Sequence, residues 1–494
     1  MIVAAALRLF HLGHQSLWVD EAFSWHNAGV GEPWGPTRYL ADVHGPLYGV
    51  ILHLWTRLAG DSEWALRLPS AVLSVALVAA IARLSARWLG EETTVPAAWL
   101  AAGSPFLVWY GQEVRSYTLL MLCACLASLA LLVMHEGVTR ARFSGYLVAA
   151  WAGLLSNLSF AMLMPVHFRW WLATPGRPLV RLARIAGVGL VLLLLVSPWV
   201  GPIRRVWAWQ RLEPAHVTEA GETPLRGAGA FHAAAIPFAA ASFSVGYTLG
   251  PSLRALRAHP GLGTLRPHVL VLGAAAIVFG ALTVLGLRAL HRRGRLGEGL
   301  LWLLAPVLLV SYFAIQNFKV FHPRYLSVAL PAYLALLAAG LADLRPRVRS
   351  IVGAAVAILW GVSLWHHYFD PRYAKEDMRS AGALLTARAS SGEKILAVNT
   401  EMLLFYYYRG PVPISEYWLG WASDPALCEH HIRRLSSGAT GVWIVWSRGE
   451  DLDPTGAFAR DLATLHPEAE QFQFDGVRIW HFRRPKAAEP GSGT

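Results

Sequence analysis

The stretch "PLYGVILHLWTRLAG", residues 46–60, decides how the chain crosses a membrane. It is mostly apolar, but it is only 15 residues long and contains His53 and Arg57. A membrane-spanning helix needs roughly 20 apolar residues, whereas a shorter helix with polar positions can lie flat in the membrane interface. The choice between these structures sets the side of the membrane on which every later loop lies.

Arginine residues in the later loops decide between the two structures. If residues 46–60 lie flat, five arginine clusters share the face that the positive-inside rule makes cytoplasmic, and if they cross, the clusters face outward. We therefore predict that residues 46–60 form a flat interfacial helix. The clusters are Arg83 and Arg87; Arg140 and Arg142; Arg177, Arg181 and Arg184; Arg288, Arg292, Arg293 and Arg295; Arg345, Arg347 and Arg349.

The composition is that of a protein with many membrane spans. Of the 494 residues, 55% are hydrophobic and 15% are charged, which is typical of a polytopic membrane protein. The net charge of +12 lies in loops where the orientation rule accounts for it, so nucleic acid is not indicated as a partner. The predicted spans are about 66–88, 93–110, 116–134, 143–157, 159–172, 185–203, 268–287, 299–316, 325–341 and 350–369, with residues 1–9 as the end of a first span.

A change in charge marks a second domain. Residues 1–369 carry 29 Lys+Arg and 15 Asp+Glu, whereas residues 370–494 carry 14 and 16. In the tail, "EKILAV" and "GVWIVW" predict buried strands, "KEDMRSAGALLTARA" predicts a helix, and "FQFDGVRIWHF" predicts a hairpin on its Asp-Gly turn. We predict a transmembrane domain over 1–369 with outer loops 10–65 and 204–267, an extracytoplasmic α/β domain over 370–484, and a disordered tail over 485–494.

Two adjacent acids stand in the first outer loop. Asp20 and Glu21, in "SLWVDEAFSW", have aromatic neighbours that partly exclude water and raise the basicity of a carboxylate. Such a group suits a general base that takes a proton from an acceptor. The alternative is a helix start, with Ser16 as its cap and the acids in the first turn.

Two other stretches on the predicted outer face carry polar groups. In "GQEVRSY", residues 111–117, Gln112, Glu113 and Arg115 stand in a turn of a few residues, and they could hold an acceptor or a phosphate. Short turns between spans need polar residues in any case. In "FSVGYTLGPSLRAL", residues 243–256, glycines and Pro251 predict a helix–turn–helix that could cover a cavity. Gln112, Glu113 and Tyr247 are predicted to contact the acceptor or the sugar.

Cations also stand on the predicted outer face, against the orientation rule. Lys319, His322 and Arg324 occur in "NFKVFHPRYL", residues 317–326, and this pattern is typical of a phosphate site at a membrane surface. His44, in "DVHGPLYG", precedes the flat helix on the same face. We predict that His44, Arg115, Lys319, His322 and Arg324 bind the phosphate of a donor.

Together these stretches resemble the superfamily of dolichyl-phosphate-mannose protein mannosyltransferases and aminoarabinose lipid A transferases. The resemblance covers residues 7 to about 370, and the order and spacing of the pieces make it specific. One departure is His44-Gly45-Pro46, where many members have His-Pro-Pro. The matching pieces are "SLWVDEAFS", "HGPLYGVILHLW", "GDSEWALRLPSAV", "PFLVWYGQEVRSYTLL", "FSVGYTLGPS" and "HPRYLSVALP".

The resemblance implies a GT-C fold, an all-α polytopic membrane protein of about 11 transmembrane helices with interfacial helices and, here, a small C-terminal α/β domain. It implies inverting transfer of a sugar from a polyprenyl phosphate on the non-cytoplasmic face of the plasma membrane. By resemblance, Asp20 is the catalytic acid with Glu21 beside it, and Glu113 is the further acid of the turn after the third span.

We therefore expect a glycosyltransferase whose partners are the bilayer, a polyprenyl-phosphate-linked sugar and an envelope lipid, glycan or protein acceptor. No cofactor is expected beyond this donor, and a divalent metal is possible but not indicated, since two adjacent acids without a third ligand make a weak site. Two alternatives stay open: a transporter or flippase for a lipid-linked sugar, and a non-catalytic envelope protein that binds glycan.

Overall fold

The structure of the protein is a computed structural model. It describes residues 1–29, 45–202, 204, 231–232, 234–259, 261–316, 321–398, 400–417, 438–447, 460 and 468–483. The helices that precede the C-terminal sheet are α1 Ile2–Leu9, α2 Val19–Asn27, α3 Pro46–Ala59, α4 Glu63–Leu89, α5 Thr94–Gly103, α6 Pro105–Gly111, α7 Tyr117–Met134, α8 Arg140–Ser156, α9 Met164–Leu172, α10 Pro178–Val196, α11 Ala235–Val245, α12 Leu253–Ala258, α13 Leu262–Leu265, α14 Val269–Arg292, α15 Leu296–Ile315, α16 Leu330–Ala342 and α17 Pro346–Phe369. Short 3-10 turns cover Glu91–Thr93, Leu158–Leu163, Ser197–Trp199, Arg266–His268, Pro323–Ala329 and Pro371–Tyr373.

Seven helical segments of the described residues are long and apolar enough to cross a membrane. The polytopic helical class is thus confirmed, while the count of about eleven spans is not. One predicted span, 93–110, is divided between α5 and α6, because the Ser104 hydroxyl accepts a hydrogen bond from the Leu107 backbone and Pro105 begins the second helix. The seven are Glu63–Leu89, Tyr117–Met134, Pro178–Pro202, Leu262–Arg292, Leu296–Ile315, Pro323–Ala342 and Pro346–Phe369.

Helix α3 fits the prediction of a flat helix. It has 14 residues, which extend about 21 Å, too little to cross a bilayer. Leu52 and His53 are buried, while Leu58 is 85% exposed, so the helix has one packed face and one free apolar position. At its start, a side chain at Gly45 would meet the Leu155 carbonyl oxygen at 2.1 Å. Glycine therefore serves close packing where the resemblance would place a proline.

Arginines from three of the five clusters form ion pairs with shared acids at one end of the bundle. Glu136 pairs with Arg87 and lies 3.6 Å from Arg142. Asp343 accepts from Arg293 at 2.9 Å and also pairs with Arg292. Four arginines from three different loops thus share two acids, as the prediction of a common face requires.

The C-terminal part contains a five-stranded sheet of order β2-β1-β3-β5-β4. Strands β2, β1 and β3 are parallel, while β5 is antiparallel to both β3 and β4. The predicted strands, helix and hairpin are confirmed, whereas β2 and α19 were not predicted from the sequence. The elements are α18 Met378–Arg388, β1 Lys394–Val398, α19 Glu401–Tyr407, β2 Ile414–Tyr417, β3 Gly441–Ser447, β4 Glu470–Phe474 and β5 Val477–Arg483.

Candidate active site

The acid pair lies at the end of the bundle opposite the arginine clusters. Arg67, in the first turns of α4, binds Glu21 at 2.8 Å, and Arg87, near the other end of α4, pairs with Glu136. The 20 residues between the two arginines rise about 30 Å, which is close to the thickness of the hydrocarbon core. The two ends of the bundle are therefore separated by one membrane thickness.

Helix α2 begins just before the acids. Asp20 and Glu21 lie in its first turn, where the helix dipole favours negative charge. The expected cap at Ser16 is wrong, because the N-cap is Trp18, whose backbone N–H is 3.3 Å from the Glu21 carboxylate. The Ser16 hydroxyl instead donates to Asp377 of the C-terminal part at 3.4 Å.

Asp20 lies between two guanidinium groups. Its Oδ2 atom is 2.5 Å from Arg324 Nη1 and 3.9 Å from Arg115 Nη2. Arg115 Nη1 also donates to the Asp20 carbonyl oxygen and to the Ser24 hydroxyl, both at 3.2 Å. The Asp20 side chain is 25% exposed, so a substrate group can reach it. Three predicted site residues are thus brought together.

The turn Pro323–Ala329 holds Arg324 in place. His322 caps this turn, and its Nδ1 atom accepts a hydrogen bond from the Arg324 backbone at 3.2 Å. The His322 ring lies 6.0 Å from the ring of Tyr247, which shares a hydrogen bond of 3.0 Å with Tyr110. Burial raises the pKa of Tyr247, which keeps the phenol neutral. His322 and Tyr247 therefore lie beside the turn that holds Arg324.

Glu21 has a different environment from Asp20. It is fully buried, and its carboxylate accepts two hydrogen bonds from Arg67 at 2.8 Å and one from Lys375 at 2.9 Å. The Val114 backbone donates to it at 3.0 Å. Burial alone would raise its pKa, but Arg67 and Lys375 outweigh burial and lower the pKa to about 2. Glu21 is therefore a permanent anion that joins three segments of the chain.

Glu113 is a buried carboxyl group beside this network. It is 2% exposed, and its Oε1 atom lies 3.9 Å from the Lys375 ammonium. Its Oε2 atom is buried without a hydrogen-bond partner among the residues that the structure describes. Burial raises its pKa to about 7; Lys375 opposes this shift, while Glu21 and Asp20 add to it. This carboxyl group therefore titrates near neutral pH.

Gln112 directly follows α6 and forms contacts within the fold. Its amide nitrogen donates to backbone carbonyls of α1 and the residues after it, and its amide oxygen bonds to His367 Nε2 at 2.9 Å. Both ends of the amide are thus engaged in joining the first described helix to α17. Its predicted contact with an acceptor stays a prediction.

Lys375 was missed by the sequence analysis. It follows the last span, in a segment where no motif pointed to chemistry, yet it reaches both Glu21 and Glu113. The sequence around Lys375 indicates no function, since a lone lysine near a domain boundary is common. Only the packing of the C-terminal part against α2 reveals its position, for example through Tyr407, whose hydroxyl accepts from the Leu17 backbone at 2.6 Å.

Two predicted phosphate ligands, His44 and Lys319, lie outside the described residues. Within the described part of the chain, no group of three or more His, Cys, Asp or Glu side chains could hold a metal ion.

Comparison with known proteins supports the resemblance. Residues 43–201 match the family model described as dolichyl-phosphate-mannose-protein mannosyltransferase. No match was found among curated protein sequences. The solved structure of ArnT from Cupriavidus metallidurans in the apo state is similar over 97% of this chain and 96% of that chain, with a TM-score of 0.58 and 14% identity. The same protein bound to undecaprenyl phosphate matches with a TM-score of 0.57, 13% identity and the same coverage.

A third similar structure is the archaeal oligosaccharyltransferase AglB from Archaeoglobus fulgidus, in complex with an inhibitory peptide and a dolichol-phosphate. It has a TM-score of 0.54 and 13% identity, over 90% of this chain and 68% of that chain. At these identities the structural likeness shows the fold, and the family model adds the sequence match. The chain therefore shares the fold of ArnT and AglB, and residues 43–201 carry the sequence match to the mannosyltransferase family model.

Proposed function

We propose that the protein is an inverting glycosyltransferase that moves a sugar from a polyprenyl-phosphate-linked donor to an extracytoplasmic acceptor, with Asp20 as the general base. The observation that carries this proposal is the accessible Asp20 carboxylate between Arg115 and Arg324. A base and two phosphate-binding groups in one place are what such a transfer needs. The similar structures that hold undecaprenyl phosphate and dolichol-phosphate support a lipid phosphate as the donor.

In the proposed reaction, Asp20 takes the proton of the acceptor hydroxyl or amine. The acceptor atom forms a bond to the anomeric carbon, and the bond between that carbon and the phosphate oxygen breaks. Attack from the face opposite the phosphate inverts the configuration. The leaving phosphate carries the developing negative charge, and Arg115 and Arg324 are positioned to stabilise it.

The ion pair between Asp20 and Arg324 gives donor binding a second role. A carboxylate that is paired with a guanidinium is a weak base, because the opposite charge favours the ionised form. A donor phosphate offers Arg324 another anionic partner. Arg324 can then exchange Asp20 for the phosphate, which leaves Asp20 more basic once the donor is bound.

The proposed side is the non-cytoplasmic one. The site lies about 30 Å along α4 from the arginine clusters, and such clusters face the cytoplasm. The grouping of the charges of the site at one end, instead of along a path through the bundle, favours transfer over transport of a lipid-linked sugar. The contacts of Lys375 with Glu21 and Glu113 favour a C-terminal part that works with the site over one that binds glycan independently.

The test is sugar transfer by the purified full-length protein with a panel of polyprenyl-phosphate-linked sugars. Mass spectrometry of envelope lipids and glycans from cells with and without the gene identifies the acceptor by one lost sugar mass. The variant Asp20→Asn removes the base, and Glu91→Gln, at an acid that is 77% exposed at the other end of α4, is the matched control. Undiminished transfer by Asp20→Asn rules out the catalytic role.

A further inference from the structure

Lys375 connects two acids that come from different parts of the membrane domain. Its ammonium lies 2.9 Å from Glu21 Oε2 and 3.9 Å from Glu113 Oε1, and its side chain is 10% exposed. Glu21 belongs to α2, and Glu113 belongs to the turn between α6 and α7. A single cation from the segment after α17 therefore holds together the two loops that carry the predicted acids.

The backbone around Lys375 is fixed on both sides. Before it, the Tyr373 hydroxyl donates to the Gly250 carbonyl oxygen. At Lys375 itself, the backbone N–H donates to Gln15 Oε1 at 3.1 Å. After it, the Asp377 carboxylate accepts a hydrogen bond from the Ser16 hydroxyl, and the Asp377 backbone N–H donates to the Asp475 carbonyl oxygen at 2.8 Å. The position of the ammonium is thus set by the fold and not by a flexible tail.

The arrangement leaves one buried acid oxygen unpaired among the described residues. Glu21 is saturated by Arg67, Lys375 and the Val114 backbone. Glu113, in contrast, has Lys375 beside Oε1 and has no hydrogen-bond partner at Oε2 within the described residues. A buried carboxylate oxygen without a partner is costly, so such an atom in a site is expected to meet a donor group of a ligand.

We propose that Lys375 is a positioning residue of the transfer site, which holds Glu113 by Oε1 so that Oε2 accepts a hydrogen bond from the acceptor. This inference rests on the proposed function, because the acceptor is the one named there. It makes the C-terminal segment a part of the site, although the reacting groups all come from the membrane domain.

The charge of Lys375 also sets the ionisation of Glu113. An ionised carboxylate is the stronger hydrogen-bond acceptor, and a cation beside it favours that form. Removal of the cation therefore raises the pKa of Glu113, and protonated Glu113 persists to higher pH. The other groups that face Glu113 are Glu21 and Asp20 on α2, Arg324 on the turn after α15, and the phenols of Tyr48, Tyr110 and Tyr247.

The experiment compares Lys375→Met, which removes the charge, with Lys375→Arg, which keeps it. Infrared spectroscopy of the full-length protein follows the protonated carboxyl band of Glu113 against pH, and the band is assigned by its loss in Glu113→Gln. We expect the midpoint to move upward by roughly 1–3 pH units in Lys375→Met and to stay near that of the unchanged protein in Lys375→Arg. The pH dependence of sugar transfer should move in the same direction.

The control is Arg379→Met. Arg379 also anchors the C-terminal part to the first loop, through Glu63 at 2.8 Å, but it contacts neither Glu21 nor Glu113. An unchanged Glu113 midpoint in Lys375→Met, or an equal shift in Arg379→Met, overturns the proposal, since Lys375 then does no more than dock the tail. The infrared titration needs no substrate, so a failure of the proposed transfer reaction gives a different result from a failure of this inference.

Discussion

Asp20 and Arg324 form an ion pair of 2.5 Å although 304 residues separate them in the chain. One comes from the first turn of α2, and the other comes from the turn that leads into α16. Groups that would act on an acceptor and on a phosphate therefore converge at one end of the bundle.

Loss of Arg324 should weaken donor binding more than it weakens the fold. Arg324→Met removes a charge-assisted contact to phosphate worth about 1.5–3 kcal/mol, so the Kd for undecaprenyl phosphate should rise about 10- to 100-fold. Arg324→Lys keeps the charge but loses the planar donor pair. Its Kd should lie between that of the unchanged protein and that of Arg324→Met. Calorimetric titration in detergent measures the affinity. Equal affinity in all three proteins would show that Arg324 does not bind the phosphate.

Loss of Arg67 should destabilise the protein strongly. Arg67→Met leaves the Glu21 carboxylate buried with Lys375 as its remaining cationic partner, and breaking a buried pair in this way costs about 3–5 kcal/mol. Thermal unfolding in detergent should show a lower Tm than that of the unchanged protein. The double variant Arg67→Met/Glu21→Gln removes the uncompensated charge and should recover part of the loss. A Tm unchanged in Arg67→Met would contradict the structural role of this pair.

Stability should fall at low pH through Glu21. Its pKa is lowered from the ordinary 4.5 to about 2 in the fold. The ionised form therefore stabilises the fold at pH values above the ordinary pKa. This contribution should be lost as the pH falls from about 4.5 towards 2. The variant Glu21→Gln cannot titrate there, and its Tm should change less over the same range. Equal slopes of Tm against pH in both proteins would assign acid unfolding to other groups.

The loop that carries Tyr247 should depend on the C-terminal hairpin. Arg254, in α12, pairs with Asp475 in the hairpin turn. Both side chains are partly exposed, so the pair should add only about 0–1 kcal/mol to stability. Asp475→Ala should therefore leave the Tm nearly unchanged, but it should speed hydrogen exchange over residues 246–258 and lower sugar transfer. Substitution of Gly476 offers a second test. This residue has φ 70°, and a Cβ added to it would lie 2.8 Å from Arg254 Nη2.

Much of the fold could be predicted from the sequence, because the length of an apolar segment and the arginines in the loops between segments can be seen without knowledge of tertiary contacts. Residues 46–60 show this, since their length and the later arginines together predicted α3. The pairing of Asp20 with Arg324 was predicted only as a shared face. The role of Lys375 could not be predicted, because the helix pattern that begins at Lys375 does not indicate which groups its side chain contacts after tertiary packing. Nor could the contrast between Asp20 and Glu21, since adjacent residues on a helix point in different directions.

Undecaprenyl phosphate binding and sugar transfer should be measured together in Asp20→Asn, with Glu91→Gln as the control. If Asp20 competes with the donor phosphate for Arg324 and also acts as the base, Asp20→Asn should bind the lipid phosphate several-fold more tightly than the unchanged protein does. Its transfer should at the same time fall by roughly 10²- to 10⁴-fold. Unchanged or weaker binding of the lipid phosphate in Asp20→Asn would show that Asp20 does not compete for Arg324, and transfer at the rate of the control would show that Asp20 is not the base.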